Sequence, residues 1–397
     1  MGQPGPAIDF LAEEVRWWDH WLKGRATGIM DEPQLRLFQQ DSVPPRGWYA
    51  DRPGHWIAEP CWPSPNIART DYHLGADGRL SPNSAGPAAR LTHMSAADVG
   101  MYSGKWCGYS NPGDAPGDQR AEDGGSLCFD TAPLQAPLTM AGDANVRLRV
   151  AADRPVAHIA ARICDVDPDG RSTRVSFGLL NLCHRNGHEN PEPLEPGRTY
   201  DVVIPMKHVA QRFAAGHRVR LALSTSYFPM AWPAPEPVRL TLHTDGSALE
   251  LPLRAAQPGD ADLRNFGAAV VCPAPDRDVL DHPERHFRIV VDAAAGTTEM
   301  QIADGDGLYR RHDNDLTVRE QGHESFKVSH EDATTAEGRT RWTLGLSRAN
   351  WSVRSETETE LSADRDAYVI RARLRAWEGD DLIKEIEWNE RIARNHG

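Results

Sequence analysis

The sequence has no excess of positive charge and no long apolar run. Lys and Arg number 44 against 57 Asp and Glu, which gives a net charge of -13. Nucleic acids and anionic membranes require a basic protein surface, so this balance argues against both as partners. A transmembrane helix needs about 20 consecutive apolar residues, and the sequence contains no such run. We therefore expect neither nucleic-acid binding nor membrane insertion.

Close cysteine pairs and a secretion signal are also missing. The cysteines lie far apart and form no CxxC pair, which predicts buried free thiols rather than a disulfide framework. The stretch MGQPGPAIDFLAEE has neither a basic region nor an apolar core, so no signal peptide is expected. We predict a cytoplasmic protein whose cysteines are Cys61, Cys107, Cys128, Cys164, Cys183 and Cys272.

Turn-forming residues and short alternating strands are abundant. The sequence contains 33 Gly and 30 Pro, a composition that favours a loop-rich β protein. Within residues 200–229, a Val-Val-Ile run stops at Pro205, which cannot donate to a strand ladder. Farther on, Val219 and Leu221 alternate with arginines that should point outward, as in a half-buried strand. Residues 206–215 between these runs are predicted to form a helical turn or an irregular crossing. The pattern favours a β-sandwich over a parallel α/β sheet.

One long helix is predicted near the N terminus, over residues 8–23. Leu11, Val15, Trp18 and Leu22 recur there at helical spacing, and the glycine that follows is placed to end the helix. The three tryptophans of this segment favour a packing role, because aromatic rings dominate buried area. A ligand-stacking surface is the alternative.

Several phrases of the sequence resemble one known family. GRTYDVVIPM, FAAGHRVRLALSTSYFP and WPAPEPVRLTL are similar to the C-terminal jelly-roll domain of X-Pro dipeptidyl-peptidases and of bacterial cocaine-esterase-type acyl esterases. The similarity continues upstream through SLCFDTAPLQAPLTMAGDANVRLRV. Because several phrases recur in one order, the resemblance is specific for the family. It says little about the substrate.

The resemblance implies a mainly β protein with three parts. Residues 1–33 carry the helix that, in the family, closes an α/β-hydrolase domain after its catalytic histidine. Residues 34–254 are expected to form the jelly-roll β-sandwich, of the galactose-binding-like type. Residues 255–397 are expected to form a β-rich extension packed on the jelly roll.

The resemblance also implies a serine hydrolase, whose nucleophile elbow needs Gly-x-Ser-x-Gly, or the family's Gly-x-Ser-Tyr-x-Gly form, between a strand and a helix. The nearest match is GYSNPG at residues 108–113, around Ser110. Its Asn111 and Pro112 depart from the motif, and a polar loop follows in place of a helix. Met1 falls just before the tryptophan-rich helix, which leaves no room for the family's acidic and histidine triad members. We therefore expect no catalytic residue in this chain.

These expectations define two hypotheses. In the first, the chain is the C-terminal half of a dipeptidyl-peptidase- or esterase-type serine hydrolase, truncated or encoded in two pieces. Its partner is then a missing or separately encoded α/β-hydrolase half, and a small ester or peptide is a substrate only of the complete enzyme. The helix should then expose an unusually large apolar surface around Trp18 and Leu22. In the second, the chain is a stand-alone jelly-roll module that binds carbohydrate or protein. A homo-oligomer is compatible with both hypotheses, and neither requires a cofactor.

Two stretches carry metal-ligand residues at suggestive spacing. Residues 165–170, DVDPDG, copy the start of an EF-hand loop, but the twelfth position is Ser176 and the flanks are predicted strands. A tight acidic turn is favoured there. Residues 183–189, CHRNGHE, lack a second ligand pair at close spacing. The DGDG run at residues 304–307 lacks the Lys of a phosphate loop and predicts a turn. No metal site is predicted.

Two irregular stretches are candidate substrate-facing segments. Trp48, Trp56 and Trp62 lie in a Pro- and Gly-rich region, where packing at the rim is favoured over an aromatic wall beside a substrate cleft. Residues 108–125 form a polar loop with little capacity for regular structure. A flexible surface excursion is favoured for this loop. The resemblance offers a specificity loop as the alternative.

Overall fold

The computed structural model describes residues 6–83, 86–108 and 111–397. Within these residues the protein is mainly β, as predicted. The helices are α1 (Phe10–Lys23) and α2 (Arg120–Gly124), and short 3-10 turns lie at Ile29–Asp31, Leu182–His184, Pro258–Asp262 and Ala333–Thr335. The strands are β1 (Leu35–Asp41), β2 (Gly54–Glu59), β3 (Ile67–Leu74), β4 (Leu80–Ser81), β5 (Arg90–His93), β6 (Leu127–Asp130), β7 (Leu138–Gly142), β8 (Asn145–Ala152), β9 (His158–Val166), β10 (Ser172–Asn181), β11 (Thr199–Pro205), β12 (Val209–Phe213), β13 (Arg218–Ser224), β14 (Leu240–Arg254), β15 (Arg277–Asp281), β16 (His286–Asp292), β17 (Thr297–Arg311), β18 (Thr317–Ser329), β19 (Glu337–Arg348), β20 (Trp351–Ala363), β21 (Ala367–Glu378) and β22 (Asp381–Ala393).

Strands β1–β14 form a jelly-roll sandwich of two sheets. The larger sheet has the hydrogen-bonded order β11-β8-β14-β7-β12-β1-β2, with β3 and β5 also paired to β14, and β4 paired to β3. The smaller sheet has the order β10-β9-β13-β6. The pairing is antiparallel apart from β1 with β12, which run parallel. Neighbours in space are thus mostly distant in sequence, as a jelly roll requires.

The main hydrophobic core lies between these two sheets. Strand β8 contributes Val146, Leu148 and Val150 from the larger sheet, and β9 contributes Ile159 and Ile163 from the smaller one. These residues occur at every second or fourth position because strand side chains alternate between faces. Full burial of one such side chain stabilises the folded state by about 1.5–3 kcal/mol. The sandwich therefore has a core of its own.

The outer face of the smaller sheet is covered by the segment that contains α2. Arg162 of β9 is completely buried and pairs with Asp123 of α2 at 3.2 Å. Arg220 of β13 reaches the same carboxylate at 2.9 Å. Arg220, which was predicted to point outward, does so. The second layer buries Arg162 completely and covers most of the Arg220 side chain. The flexible excursion predicted for residues 108–125 is wrong over its second half, because α2 and its buried ion pairs fix that half on the sheet.

Strands β15–β22 form the C-terminal sheet, an antiparallel layer beside the jelly roll. Its order is β15-β17-β18-β19-β20-β21-β22, with β16 also paired to β17. A second hydrophobic cluster joins it to the jelly roll, where Met300, Ile302 and Val328 of the sheet pack with Met101 and Phe228. This cluster is much smaller than the main core, so one region of the C-terminal sheet is anchored and the rest extends beyond it.

The two faces of the C-terminal sheet differ in chemistry. One row of directly paired residues begins at His323 of β18 and continues from β19 to β22 with side chains of alternating charge, which are Arg341, Glu358, Arg373 and Glu387. We call the side that carries this row the charged face. The next row, on the opposite side, contains Trp342, Leu374 and Ile386, and we call that side the apolar face. Opposite charges in paired positions stabilise a sheet, which explains the order of the charged row.

Three further local predictions are wrong. Residues 206–215 contain strand β12, which pairs with β7, so the crossing is part of the larger sheet. The DGDG run lies inside β17 as a bulge, where Gly305 and Gly307 have positive φ. The six cysteines are free, as predicted, but Cys61, Cys107 and Cys272 are exposed. In the described part of the chain, neither α1 nor α2 has the length and apolar character needed to span a bilayer.

Candidate functional site

Helix α1 has well-defined ends. It begins at Phe10, two residues later than predicted, because the Asp9 side chain accepts a hydrogen bond from the backbone N–H of Ala12 at 3.0 Å. A carboxylate in this position satisfies one of the free N–H groups of the first turn. The helix ends at Gly24, whose φ of 64° is in the left-handed region, as predicted.

The charged side of α1 holds the helix on the rest of the chain. Glu13 pairs with Arg264 at 2.7 Å, Arg16 pairs with Glu32 at 2.7 Å, and Arg264 also reaches Glu32 at 2.9 Å. Burial raises the pKa of Glu32, but hydrogen bonds from Arg16 and Arg264 outweigh it and hold the pKa below its ordinary value. Arg264 lies in the linker after β14, so this network joins the N-terminal helix to the far end of the jelly roll. No local pattern in the sequence indicated it.

The opposite side of α1 is apolar and open to solvent. Trp18 is 53% exposed and Leu22 is 74% exposed, which confirms the predicted exposure. Soluble proteins rarely leave a contiguous apolar patch uncovered unless it is an interaction site. The helix therefore turns its ion-pairing side to its own chain and its apolar side outward. We call this apolar side the α1 surface, formed by Phe10, Leu11, Val15, Trp17, Trp18, Trp21 and Leu22.

A second candidate site joins a serine, an aspartate and a histidine. The Ser42 hydroxyl donates to the Asp165 carboxylate, whose other oxygen lies 2.8 Å from Nδ1 of His217. Burial raises the pKa of Asp165, and the hydrogen bonds from Ser42 and His217 oppose that rise. No sequence signal marks this cluster, because its members are more than 50 residues apart and belong to no motif.

The order of this cluster differs from that of a hydrolase triad. In a triad the histidine contacts the serine and takes its proton, and the acid orients the histidine. Here Asp165 lies between Ser42 and His217, and the Ser42 oxygen also accepts a hydrogen bond from the backbone N–H of Ala214 at 3.0 Å. A carboxylate that holds both partners fixes the chain locally. It does not activate Ser42 through His217.

The GYSNPG segment is only partly within the described residues. Ser110, the nearest candidate for a nucleophile, lies outside them, as does Tyr109. Past this gap, the backbone N–H of Asn111 donates to the Asp114 side chain at 2.9 Å, and the Asn111 amide donates to Asp304 at 3.1 Å. Residues 111–118 contain no helix. The strand–turn–helix context of an elbow is therefore missing on the described side of the segment.

Neither metal-like stretch assembles a ligand set. Asp167 accepts hydrogen bonds from the backbone N–H groups of Asp169 and Arg171 and pairs with the Arg171 side chain at 2.6 Å, which is the tight acidic turn that was favoured. His184 and His188 lie side by side, with their Nδ1 atoms 3.1 Å apart. Cys183 instead directs its thiol toward a backbone carbonyl. Among the described residues, no group of three metal-ligating side chains is close enough to hold an ion.

The other candidate surfaces are an open cavity and the tryptophan-rich region. The cavity, of about 860 Å³, runs along β17–β22 and is lined mostly by residues of the charged face. Its arginines are already paired, as in the contact of Arg341 with Glu358 at 2.8 Å. Trp56 packs edge-on against Phe38 and Phe266, which confirms the favoured packing role for that residue. These features stabilise the surface without bringing reactive groups together.

Comparison with known proteins places the jelly roll in a family. Residues 27–261 match the X-Pro dipeptidyl-peptidase C-terminal non-catalytic domain. The chain is 27% identical over 225 residues to cocaine esterase from Rhodococcus sp. (strain MB1 Bresler), which covers 54% of this chain and 37% of the esterase.

Two solved structures also match. An aminopeptidase from a marine sediment archaeon, Thaumarchaeota archaeon, is 20% identical with a TM-score of 0.49, over 61% of this chain and 44% of that one. A CocE/NonD family hydrolase from Staphylococcus aureus is 15% identical with a TM-score of 0.49, over 62% and 45%. The matched part is thus less than half the length of each of these three proteins.

The family match contains every strand of the jelly roll, from Leu35 to Arg254. It also covers more than half of the 397 residues. The chain therefore belongs to the family of the X-Pro dipeptidyl-peptidase C-terminal non-catalytic domain.

Proposed function

We propose that this chain is the non-catalytic C-terminal part of a serine hydrolase and that its α1 surface docks on the α/β-hydrolase half. The observation that carries the proposal is the orientation of α1. Its charged side is bound to the rest of the chain by the pairs of Glu13 with Arg264 and of Arg16 with Glu32, while the apolar side meets solvent. One side of the helix is thus packed against this chain, and the other side has no packing partner among the residues that the structure describes.

The order of the segments supports this partner. The family match begins at residue 27, just after α1, and the family is by description the C-terminal and non-catalytic part of a peptidase. A catalytic half would therefore precede α1 in the complete enzyme. The complete enzyme would hydrolyse a small ester or a prolyl peptide, and the chain alone would have neither activity. The two halves are either one polypeptide or two separate gene products.

The test begins with the DNA just upstream of the Met1 codon. We expect it to encode an α/β-hydrolase half with a Gly-x-Ser-x-x-Gly elbow and a later histidine, in the same frame or in a preceding gene. That half is then produced together with this chain, either joined or separate. Copurification and hydrolysis of a phenyl ester or a prolyl p-nitroanilide are measured, with the present chain alone as the reference.

Variants of α1 distinguish docking from general stability. Replacement of Trp18 and Leu22 by Glu should weaken copurification more than tenfold, because two apolar contacts become buried charges. Val203→Glu is the matched control, since Val203 is 53% exposed on the jelly roll away from α1, and it should have no effect.

Three results would contradict the proposal. The first is hydrolysis of the phenyl ester or of the prolyl p-nitroanilide by the chain alone. The second is an upstream sequence without a hydrolase half. The third is a homodimer of the chain alone that the Trp18 and Leu22 replacements dissociate, since the α1 surface would then bind a second copy.

A further inference from the structure

The two edges of the C-terminal sheet are protected to different extents. One edge consists of β15 and β16, which have five and seven residues and both pair with β17, with Pro283 between them. The other edge is β22, which has 13 residues and contains neither proline nor glycine. Natural sheets protect their edge strands by short length, proline, bulges or lysine. Strand β22 has one lysine, Lys384, and one bulge beside it, so the rest of its length is unprotected.

The outer side of β22 presents backbone groups without a partner strand. β22 pairs with β21, and no other strand of the described chain pairs with it. Twelve of its thirteen residues are exposed. Beyond the strand, the backbone N–H of Arg394 donates to the carbonyl of Asp366 at 2.8 Å, so the chain there stays on the β21 side. An open edge of this kind is a template for an additional strand.

The side chains of β22 fit a second copy of the same strand. Directly opposite residues of antiparallel strands lie on the same face, so a two-fold axis through Asn389 pairs residues at equal distances from it. Glu387 of each copy then lies opposite Arg391 of the other copy on the charged face. On the apolar face, Ile386 lies opposite Ile392. An axis through Glu387 would instead place that carboxylate opposite itself.

Both charged groups of this pairing are able to reach a second copy. The side chains of Glu387 and Arg391 are 71% and 57% exposed. Glu387 lies 3.6 Å from Arg373 within the chain, which is longer than a normal hydrogen bond, so its carboxylate can accept a closer donor. Arg391 contacts Asp364 at 2.8 Å with one of its five N–H donors, and the others remain for a second acceptor.

We propose that β22 is a dimerisation strand, which pairs antiparallel with β22 of a second copy around a two-fold axis at Asn389. The two C-terminal sheets then form one continuous sheet across the dimer. The family match ends at residue 261, before β15, so this contact is a property of the added sheet and not of the jelly roll. It shares no residue with the α1 surface, which makes the docking of a hydrolase half a separate contact.

Sedimentation equilibrium of the full chain tests the dimer. We expect a species of twice the chain mass of 44.0 kDa that dissociates on dilution. Arg391→Glu and Glu387→Arg should each weaken the dimer about tenfold, because both Glu–Arg contacts between the copies become repulsive. Arg341→Glu is the matched control, since Arg341 is comparably exposed on the charged face but belongs to β19, away from the edge. It should leave the dimer unchanged.

Mixing the two variants distinguishes a contact between copies from a loss of folding. A chain with Arg391→Glu and a chain with Glu387→Arg regain two contacts of opposite charge when they pair with each other. An equimolar mixture should therefore form a heterodimer with about the stability of the unaltered dimer. If either variant does not fold, Ile392→Lys takes its place and should also weaken the dimer, because a charge then faces Ile386 of the other copy.

The proposal fails if the full chain is monomeric at every concentration, or if mixing two folded variants does not restore the dimer. Dissociation of the dimer by the Trp18 and Leu22 replacements would also overturn it, because the copies would then meet through the α1 surface. A monomeric chain that binds an alternating Lys-Val peptide at β22 would show that the edge accepts a basic strand of another protein and would overturn the second copy as its occupant.

Discussion

The jelly roll and the C-terminal sheet are both built from alternating strands, yet they bury their side chains to very different extents. In β9 of the jelly roll, eight of nine residues are buried. In β22 of the C-terminal sheet, none of thirteen residues is buried. The strand β9 has the main core on one side and the α2 segment on the other, while β22 is the last strand of a single layer. Burial is therefore decided by the layers above and below a strand.

The jelly roll and the C-terminal sheet are also stabilised by different interactions. The jelly roll depends on apolar area removed from water, which is worth about 25 cal/mol per Å². The outer strands of the C-terminal sheet depend more on ladder hydrogen bonds and paired charges, as in the contact of Arg375 with Glu356 at 3.0 Å. Exposed ion pairs each contribute about 0–1 kcal/mol. We expect the two regions to respond differently to mutation.

The largest effect is expected inside the jelly roll. Phe129 of β6 is completely buried in the main core, so Phe129→Ala should lower the free energy of unfolding by about 3–5 kcal/mol. Trp388→Ala is the matched control on the C-terminal sheet, where this tryptophan is 42% exposed. It should change stability by less than about 0.5 kcal/mol. The free energy of unfolding of both variants is measured in urea. Similar losses in the two variants would contradict the conclusion that the two regions depend on burial to different extents.

A smaller effect is expected at the junction. Met300 is 1% exposed in the second cluster, so Met300→Ala should cost about 2–4 kcal/mol and loosen the C-terminal sheet from the jelly roll. Limited proteolysis should then cut within β15–β22 while the jelly roll stays intact. Gln301→Ala, the next residue on the same strand but on the charged face, should leave the cleavage pattern unchanged. Cleavage of the jelly roll at the same rate would show that the two regions unfold together.

The smallest effect is a pH dependence at the same junction, where His158 of β9 and Tyr368 of β21 line one small cavity. Burial, followed by the nearby charge of Arg394, lowers the pKa of His158 to about 4 in the folded chain, against 6.5 for the ordinary residue, so the unfolded chain binds the extra proton first. Neutral His158 therefore contributes at most about 3 kcal/mol to the free energy of unfolding. This contribution is complete above pH 6.5, declines as the pH falls toward 4, and is lost below pH 4. Denaturation of His158→Gln at pH 7.5, 5.5 and 4.5 should show a shallower decline than the unaltered chain. Parallel curves would mean that His158 is protonated equally in both states.

Much of the fold could be predicted from local pattern and from the resemblance. The helix near the N terminus, its stop at Gly24 and the strand that ends at Pro205 follow from spacing and from the geometry of single residues. The errors fall where a distant segment decides the outcome. Residues 206–215 become a strand because β7 is available to pair with β12. The DGDG run is absorbed into β17 because its neighbours are held by β18.

The candidate sites were less accessible to prediction. The apolar stripe of α1 was visible in the sequence, but its orientation depends on Arg264, more than 200 residues away. The cluster of Ser42, Asp165 and His217 has no sequence motif. It is formed by side chains from separate strands and loops, and only the packing of sheets brings them together.

The sequence by itself determined most of the strand segments and the family that the jelly roll resembles, because alternation, turn residues and ordered phrases are properties of neighbouring residues. It also determined that α1 has an apolar side. Only the tertiary structure decided how this side is held toward solvent, because the ion pairs of Glu13, Arg16 and Arg264 fix the rotation of the helix. It also decided that Arg162 is buried while Trp388 is not, since burial depends on whether a second layer lies over the strand.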